Sequence, residues 1–269
     1  MLLTKTALSS LLHGVHYSPI TGEGNEFSQY RPYQPGDDPR LIDWKVFARR
    51  KKYYIKQSEP PKTATITIQL DNSASMNHQS MEHSKWEYAL WLTAQLSFLS
   101  LQQSDKLNII TNQGQWPPAG SQLSEYALVH YLSGIKAVGN QLPALAANIA
   151  DLQVVISDLY DENDEWKAKV RQERLSSKGD FWVLHLISPE EINPSLLGNT
   201  AVLKDLESGQ QVELDKAELV SAGRRFAKWQ EHWKSYCASI GVRYFPVVTD
   251  SMPVEVLNNF VHKQNSRYN

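Results

Sequence analysis

Four stretches of the chain have the length of a strand and are apolar or rich in β-branched residues: Thr65-Ile66-Thr67-Ile68-Gln69-Leu70, Leu152 to Ile156, Phe181 to Ile187 and Val242 to Val248. Near-continuous apolar runs suit strands covered on both faces, the situation of a parallel sheet whose crossovers lay helices against it. A fifth run, Leu107 to Thr111, is shorter and stops at the turn-forming Asn112-Gln113-Gly114. Helical rhythms lie between these runs. From Glu82 to Leu101, Trp86, Ala89, Leu90, Thr93 and Leu96 recur at i, i+3, i+4, and Leu92 and Leu99 make the other side apolar too, which predicts a well-buried helix. Asp161 to Ser176 is more polar, with acids first and bases later, as the helix dipole favours. Lys216 to Ile240 carries Phe226, Trp229, Trp233, Tyr236, Cys237 and Ile240 on one stripe. Strands alternating with helices imply right-handed crossovers, so the expected fold is α/β, with a doubly wound, mostly parallel, Rossmann-like sheet.

Two regions break the alternation. Residues 1–60 are dense in charges and turn formers and read as an appendage packed on a core domain of residues 61–269. Residues 198–214 contain Ala201-Val202-Leu203, then Glu207-Ser208-Gly209-Gln210, then Val212-Glu213-Leu214, the pattern of an inserted β-hairpin. In the appendage, Arg31, Asp37, Asp38, Arg40, Asp43 and Arg49 alternate in sign around apolar Ile42, Val46 and Phe47. Buried charges persist only when paired, so an ion-pair network pinning this segment to the sheet is expected, with a docking surface as the alternative.

Composition narrows the partners. The chain has 27 Lys+Arg against 29 Asp+Glu, a formal charge of −2, and the run Arg49-Arg50-Lys51-Lys52 reads as a solvated strand entry. Polyanion binding needs a cationic excess or stripe, so no nucleic acid partner is expected. The lone cysteine, Cys237, cannot close an intramolecular disulfide, which fits a reducing compartment. Met1 to Leu12 lacks the continuous apolar core of a signal peptide, and Tyr88 to Leu101 is too short to span a bilayer. A cytoplasmic location without membrane insertion is expected.

Two of the strand runs end in an aspartate: Leu70 leads into Asp71, and Ile156-Ser157 leads into Asp158. In open α/β sheets, ligands bind beyond the carboxyl ends of the strands, where the strand order reverses. If the order is 3-2-1-4-5-6, these two strands are neighbours there, and both carboxylates face one crevice. The turn Asp71-Asn72-Ser73-Ala74-Ser75 adds two hydroxyls to the same point. Such an all-oxygen set suits one divalent cation, Mg²⁺ first and Mn²⁺ or Ca²⁺ otherwise, and suits Zn²⁺ poorly. Few protein ligands leave a coordination position open, which a partner's carboxylate can fill. The plainer alternative is that Asp and Ser simply cap a turn or helix.

These residues resemble the von Willebrand factor A-like domains, whose metal-ion-dependent adhesion site opens with Asp-x-Ser-x-Ser after the first strand. The chain is more specifically similar to the bacterial domain-of-unknown-function family fifty-eight. The likeness is carried by Gly22 to Phe27, Arg31-Pro32-Tyr33, Pro35-Gly36-Asp37-Asp38-Pro39-Arg40, Ile42-Asp43-Trp44 with Ala48-Arg49, Leu70 to Met76, Ile156 to Leu159 and Asp205 to Gly209. The resemblance implies Asp71, Ser73, Ser75 and Asp158 as metal ligands, direct or through water. Where such sites usually have a threonine, this chain has Asn140 in Val138-Gly139-Asn140-Gln141-Leu142, whose side-chain carbonyl is also a hard donor. The resemblance further implies a metal-dependent protein-binding module, not an enzyme: an adaptor or assembly factor for a MoxR-type AAA+ ATPase or its client.

Other chemistries fit less well. His13 with His16, and His78 with His83, lack the companion ligands of a zinc site. A phosphoaspartyl hydrolase wants a second acid two residues after its nucleophile, and that position is Ser73. A metal-dependent phosphoesterase and a structural subunit with an empty metal site are the alternatives. Cys237 is expected to be an inert buried thiol, and Asp161, Glu162, Asp164 and Glu165 to charge-complement a helix start.

Overall fold

The computed structural model describes residues 27–58, 63–80, 83–118, 120–121, 123–139, 141–144, 150–160, 164–198, 200–204, 211–252 and 256. The chain divides into two compact units, one within His16–Lys62 and the other holding everything from Thr63 onward.

The smaller unit pairs β1 (Phe27–Pro32) antiparallel with β2 (Tyr54–Ser58), and the helix α1 (Trp44–Arg50) lies between them in sequence. The alternating charges act locally here. Arg31 grips Asp37 with both guanidinium nitrogens at 2.6 and 2.8 Å, holding the carboxyl below its usual range. Asp38 caps a 3₁₀ turn, Pro39–Leu41, by accepting from Arg40 N. Asp43 caps α1 by accepting from the Lys45 and Val46 amides, and its other oxygen accepts from Tyr30 Oη at 2.9 Å. Caps therefore take much of what the sequence reading assigned to an ion-pair network. Arg49 and Arg50 close α1 and Lys51 caps it in the left-handed conformation, so this basic run is a helix end and not a strand entry. Basic groups are favoured at that end of the dipole.

The larger unit is built on a six-stranded sheet: β3 (Thr65–Leu70), β4 (Lys106–Thr111), β5 (Gly114–Trp116), β6 (Leu152–Ser157), β7 (Asp180–Ile187) and β10 (Arg243–Val248). Its spatial order is β10-β7-β6-β3-β4-β5, and every pairing is parallel except β4 with β5. Counting the sheet's strands along the chain, this is the 3-2-1-4-5-6 order, which reverses between β3 and β6. The antiparallel edge strand β5 went unread in the sequence. Asn112 and Gln113 form a two-residue turn with Gly114 at φ +131°, and the chain folds straight back along β4.

The helices of the larger unit are α2 (Lys85–Gln102), α3 (Glu125–Gly134), α4 (Glu165–Ser176), the short α5 (Pro189–Ile192) and α6 (Lys216–Ser239). Alternation along the strands sorts them onto two faces. Ile66, Ile68, Leu70, Val154, Ile156, Leu184 and Leu186 pack with Leu92 and Leu96 of α2 and Leu128 and Leu132 of α3. Val155, Phe181 and Val183 point the other way, to Trp166 and Val170 of α4 and Trp233 and Cys237 of α6. Before α6, β8 (Thr200–Lys204) and β9 (Gln211–Asp215) form the separate hairpin that the sequence pattern suggested, and Asp215 is itself the N-cap of α6. The second face also carries polar side chains. Gln69 and Gln153 both donate amides to Glu173 of α4, which pairs with Lys169 at 3.1 Å, all four buried.

Candidate functional site

The strand order makes β3 and β6 direct neighbours, with Leu70 opposite Ile156 and the Asp71 amide bonded to Ile156 O at 2.9 Å. Asp71 and Asp158 therefore emerge side by side at the carboxyl end of the sheet, both fully buried. The turn after β3 carries the hydroxyls in. The Ser73 amide donates to Asp71 Oδ1 at 2.9 Å, and Ser73 holds the N-cap position of the 3₁₀ turn Ala74–Asn77 without a side-chain capping bond. Ser73 Oγ lies 2.9 Å from Ser75 Oγ, which donates to Asp158 Oδ1 at 3.3 Å. Asp71, Ser73, Ser75 and Asp158 thus form one continuous oxygen cluster.

Asn140 lies outside the described residues. Its neighbour Gly139 accepts from the Ala74 amide at 2.6 Å, and the Val138 amide donates to Asn72 O at 2.7 Å, so the segment leading to it is tied to the Asp71–Ser75 turn. Asn72 and Asn77 reinforce that seam through Lys136 O and Ala137 O.

Four contributors escaped the sequence reading. Ser157, the last residue of β6, donates to Asp71 Oδ2 at 2.6 Å and accepts from the Leu159 amide at 2.8 Å. Leu159 is held at φ +59°, a conformation that branched side chains avoid. That turn lies between Asp158, which is fully buried, and Tyr160, which is exposed.

The third and fourth are charged. Lys85 is the first residue of α2, positioned by a capping box between Ser84 and Glu87. Its Nζ lies 2.6 Å from Glu191 Oε1 and 3.4 Å from Asp158 Oδ2, with 1% of the side chain exposed. Glu191 comes from α5, just beyond the end of β7, and its other oxygen accepts from the Ser188 amide. The ammonium also sits 5.0 Å from the centre of the Tyr160 ring, which stacks on Trp229 of α6. A signal for Lys85 was present in the sequence. It falls three, four and seven residues before Tyr88, Ala89 and Leu92, on the buried stripe of its helix.

The electrostatics follow from this burial. Loss of water pushes the Asp71 carboxyl up to about 6, and the charge of Asp158 adds to the push. Burial also raises Asp158, against the pull of Lys85. Burial alone would lower Lys85, but Asp158 and Glu191 outweigh it and hold the lysine protonated. With all groups ionised, Asp158 and Glu191 share the Lys85 ammonium, and Asp71 has no ion-pair partner among the described residues. His185, on β7 next to this site, is fully buried and driven down to about 3, mainly by desolvation and then by Lys85, so it is neutral.

The donor set fits a hard divalent cation. Ser73 Oγ and Ser75 Oγ are hydrogen-bonded to each other at 2.9 Å, a spacing also open to two ligands at right angles on Mg²⁺, each at about 2.0–2.1 Å. Such an ion would also supply the positive charge that the carboxylates lack. Only two carboxylates belong to the oxygen cluster, and no group of three or more His, Cys, Asp or Glu with metal spacing occurs among the described residues. Hydroxyls and water would complete the shell.

Comparison with known proteins places the chain in a family. The family described as "Protein of unknown function DUF58" matches residues 29–233. The uncharacterized protein Rv1480 of Mycobacterium tuberculosis is 26% identical over 226 residues, covering 77% of this chain and 69% of that protein. The uncharacterized protein Mb1516 of Mycobacterium bovis matches to the same extent, again 26% over 226 residues. Among solved structures, an aerotolerance-related membrane protein from Bacteroides fragilis aligns with 74% of this chain and 99% of its own, at 15% identity and a TM-score of 0.43. BatB from Bacteroides thetaiotaomicron aligns with 76% of this chain and 99% of its own, at 15% identity and a TM-score of 0.42. No described helix is long and apolar enough to cross a membrane. The chain belongs to the DUF58 family.

Proposed function

We propose that this protein is a metal-dependent protein-binding module. It holds one divalent cation, Mg²⁺ in preference to Mn²⁺ or Ca²⁺, at Asp71, Ser73, Ser75 and Asp158, with Asn140 as a further ligand. Its partner offers a carboxylate to an open coordination position. The observation that carries this reading is the pair of buried, under-neutralised carboxylates beside two hydroxyls 2.9 Å apart. A hard cation completes such a cluster, and a shell with few protein ligands keeps exchangeable positions. The likeness to von Willebrand factor A-like domains supports the same use, and the more specific resemblance to family fifty-eight suggests the partner we put forward: a MoxR-type AAA+ ATPase or its client, met in the cytoplasm.

The experiment is capture of that ATPase by the immobilised full chain in Mg²⁺, in EDTA, and with Asp71→Ala in Mg²⁺. Capture should fall at least tenfold in the last two conditions. Equal capture in all three would overturn the metal-bridged reading.

Lys85 favours a second reading, a metal-dependent phosphoesterase, since an ammonium beside an aspartate can also hold a phosphate. Here the ammonium is 1% exposed and engaged by two carboxylates, and Ser73 stands where the general acid would be. Metal-stimulated turnover of p-nitrophenyl phosphate by wild type, absent in Asp71→Ala, would favour it over the binding module.

A further inference from the structure

Lys85 has no part in the binding role proposed above, and its position is costly. It occupies the first turn of α2, where the helix dipole disfavours a cation, and its side chain is 1% exposed. An ammonium persists in such a place only when carboxylates hold it. The two that do so hold it unequally: Glu191 at 2.6 Å makes a short charge-assisted bond, while Asp158 at 3.4 Å is at the outer limit of one. Asp158 is itself a candidate cation ligand, reached by Ser75 Oγ through its other oxygen.

Building on the cation-site reading, we infer that Lys85 is an internal competitor of the divalent cation: its ammonium partly neutralises Asp158 and lowers the metal affinity of the crevice at least tenfold. Two cations that share one carboxylate in a dry crevice repel each other strongly, because little water is present to screen them. The same ammonium keeps the metal-free crevice tolerable by compensating buried negative charge. Glu191 sets the balance, since it draws Lys85 away from Asp158.

The test measures Mn²⁺ affinity by isothermal titration for the full chain, Lys85→Met and Glu191→Gln, alongside urea midpoints in EDTA. Lys85→Met should bind Mn²⁺ at least tenfold more tightly while its metal-free midpoint falls. Glu191→Gln should bind several-fold more weakly. A lysine with only a structural role would lower midpoint and affinity together, and that result, or an unchanged affinity, overturns the inference. If Lys85→Met does not fold, Glu191→Gln decides, and unchanged or tighter binding overturns it. Absence of Mn²⁺ binding in wild type and in every variant would instead remove the cation site itself, an outcome distinct from the others.

Discussion

Two buried carboxylate–lysine groups lie on the same sheet and are resolved in opposite ways. On the α4 face, Glu173 receives the amides of Gln69 and Gln153 and the ammonium of Lys169, so both its oxygens have donors and its charge is matched one for one. At the strand ends, Asp158 and Glu191 share Lys85, Asp71 has no ion-pair partner among the described residues, and the contacts of Asp158 with Ser75, Lys85 and the Tyr160 amide are all 3.3–3.4 Å long. A polar group that serves folding closes its own balance of donors and charge. One that serves a ligand leaves a deficit for the ligand to fill. The first is tightly satisfied inside the protein; the second is complete only with something from outside.

The comparison can be broken first at its closed member. Glu173→Ala would leave the buried Lys169 ammonium without its counter-charge and the Gln153 amide without its acceptor, although Gln69 and Lys169 keep Ala144 O, and the expected loss is about 3–5 kcal/mol of stability by urea unfolding. The loss should be the same in Mg²⁺ and in EDTA; a loss that Mg²⁺ repairs would mean that this group also serves the ion. Next in size is the gain on ligand binding. Mg²⁺ at a hundredfold its dissociation constant should stabilise wild type by about 2.7 kcal/mol. Asp71→Asn should abolish that gain, yet in EDTA it should be no less stable than wild type, because it removes a carboxylate that the fold holds up to about 6 by burial. A large loss in EDTA would move Asp71 into the closed class.

The smallest effect concerns pH. His185 is driven down to about 3 in the folded protein, against 6.5 when unexposed to the fold's influence, so the unfolded chain takes up a proton that the native state refuses. That contribution is fully present above pH 6.5 and is lost as pH falls through the window toward 3. Between pH 7 and 5.5 it costs about 1 kcal/mol. Asp71 works in the opposite sense: its folded value is raised from 3.8 to about 6, so protonation near pH 6 favours the native state. Urea midpoints in EDTA should therefore decline only gently for wild type over this range, and His185→Gln should hold level or rise. An equal decline in both would put the acid sensitivity elsewhere.

Much of the architecture was legible because it is written in local periodicity. The strands β3, β4, β6, β7 and β10 and the helices α2 and α6 fall where apolar runs and stripes put them, and α4 falls within the stretch whose acids precede its bases. The short edge strand β5 and helix α3 were not read. A three-residue strand carries too little pattern, and α3 buries only Leu128 and Leu132 among its described residues. In the N-terminal unit the charges were noticed, but their role was misjudged. Asp38 and Asp43 satisfy nearby amides, a use that depends on where a turn ends and not on which opposite charge is near.

The order of the longer strands and helices, the two strands that run out into aspartates, and the hydroxyl-bearing turn between Asp71 and Ser75 were determined by the sequence alone, since each rests on patterns within consecutive residues. Tertiary structure alone decided that β3 and β6 are neighbours, that Gln69 and Gln153 converge on Glu173, and that Lys85 and Glu191, 106 residues apart, meet beside Asp158. The physical reason is that burial and charge pairing depend on proximity in space. A lysine on an apolar stripe announces that a partner must exist, and only the folded chain supplies the carboxylate that answers it.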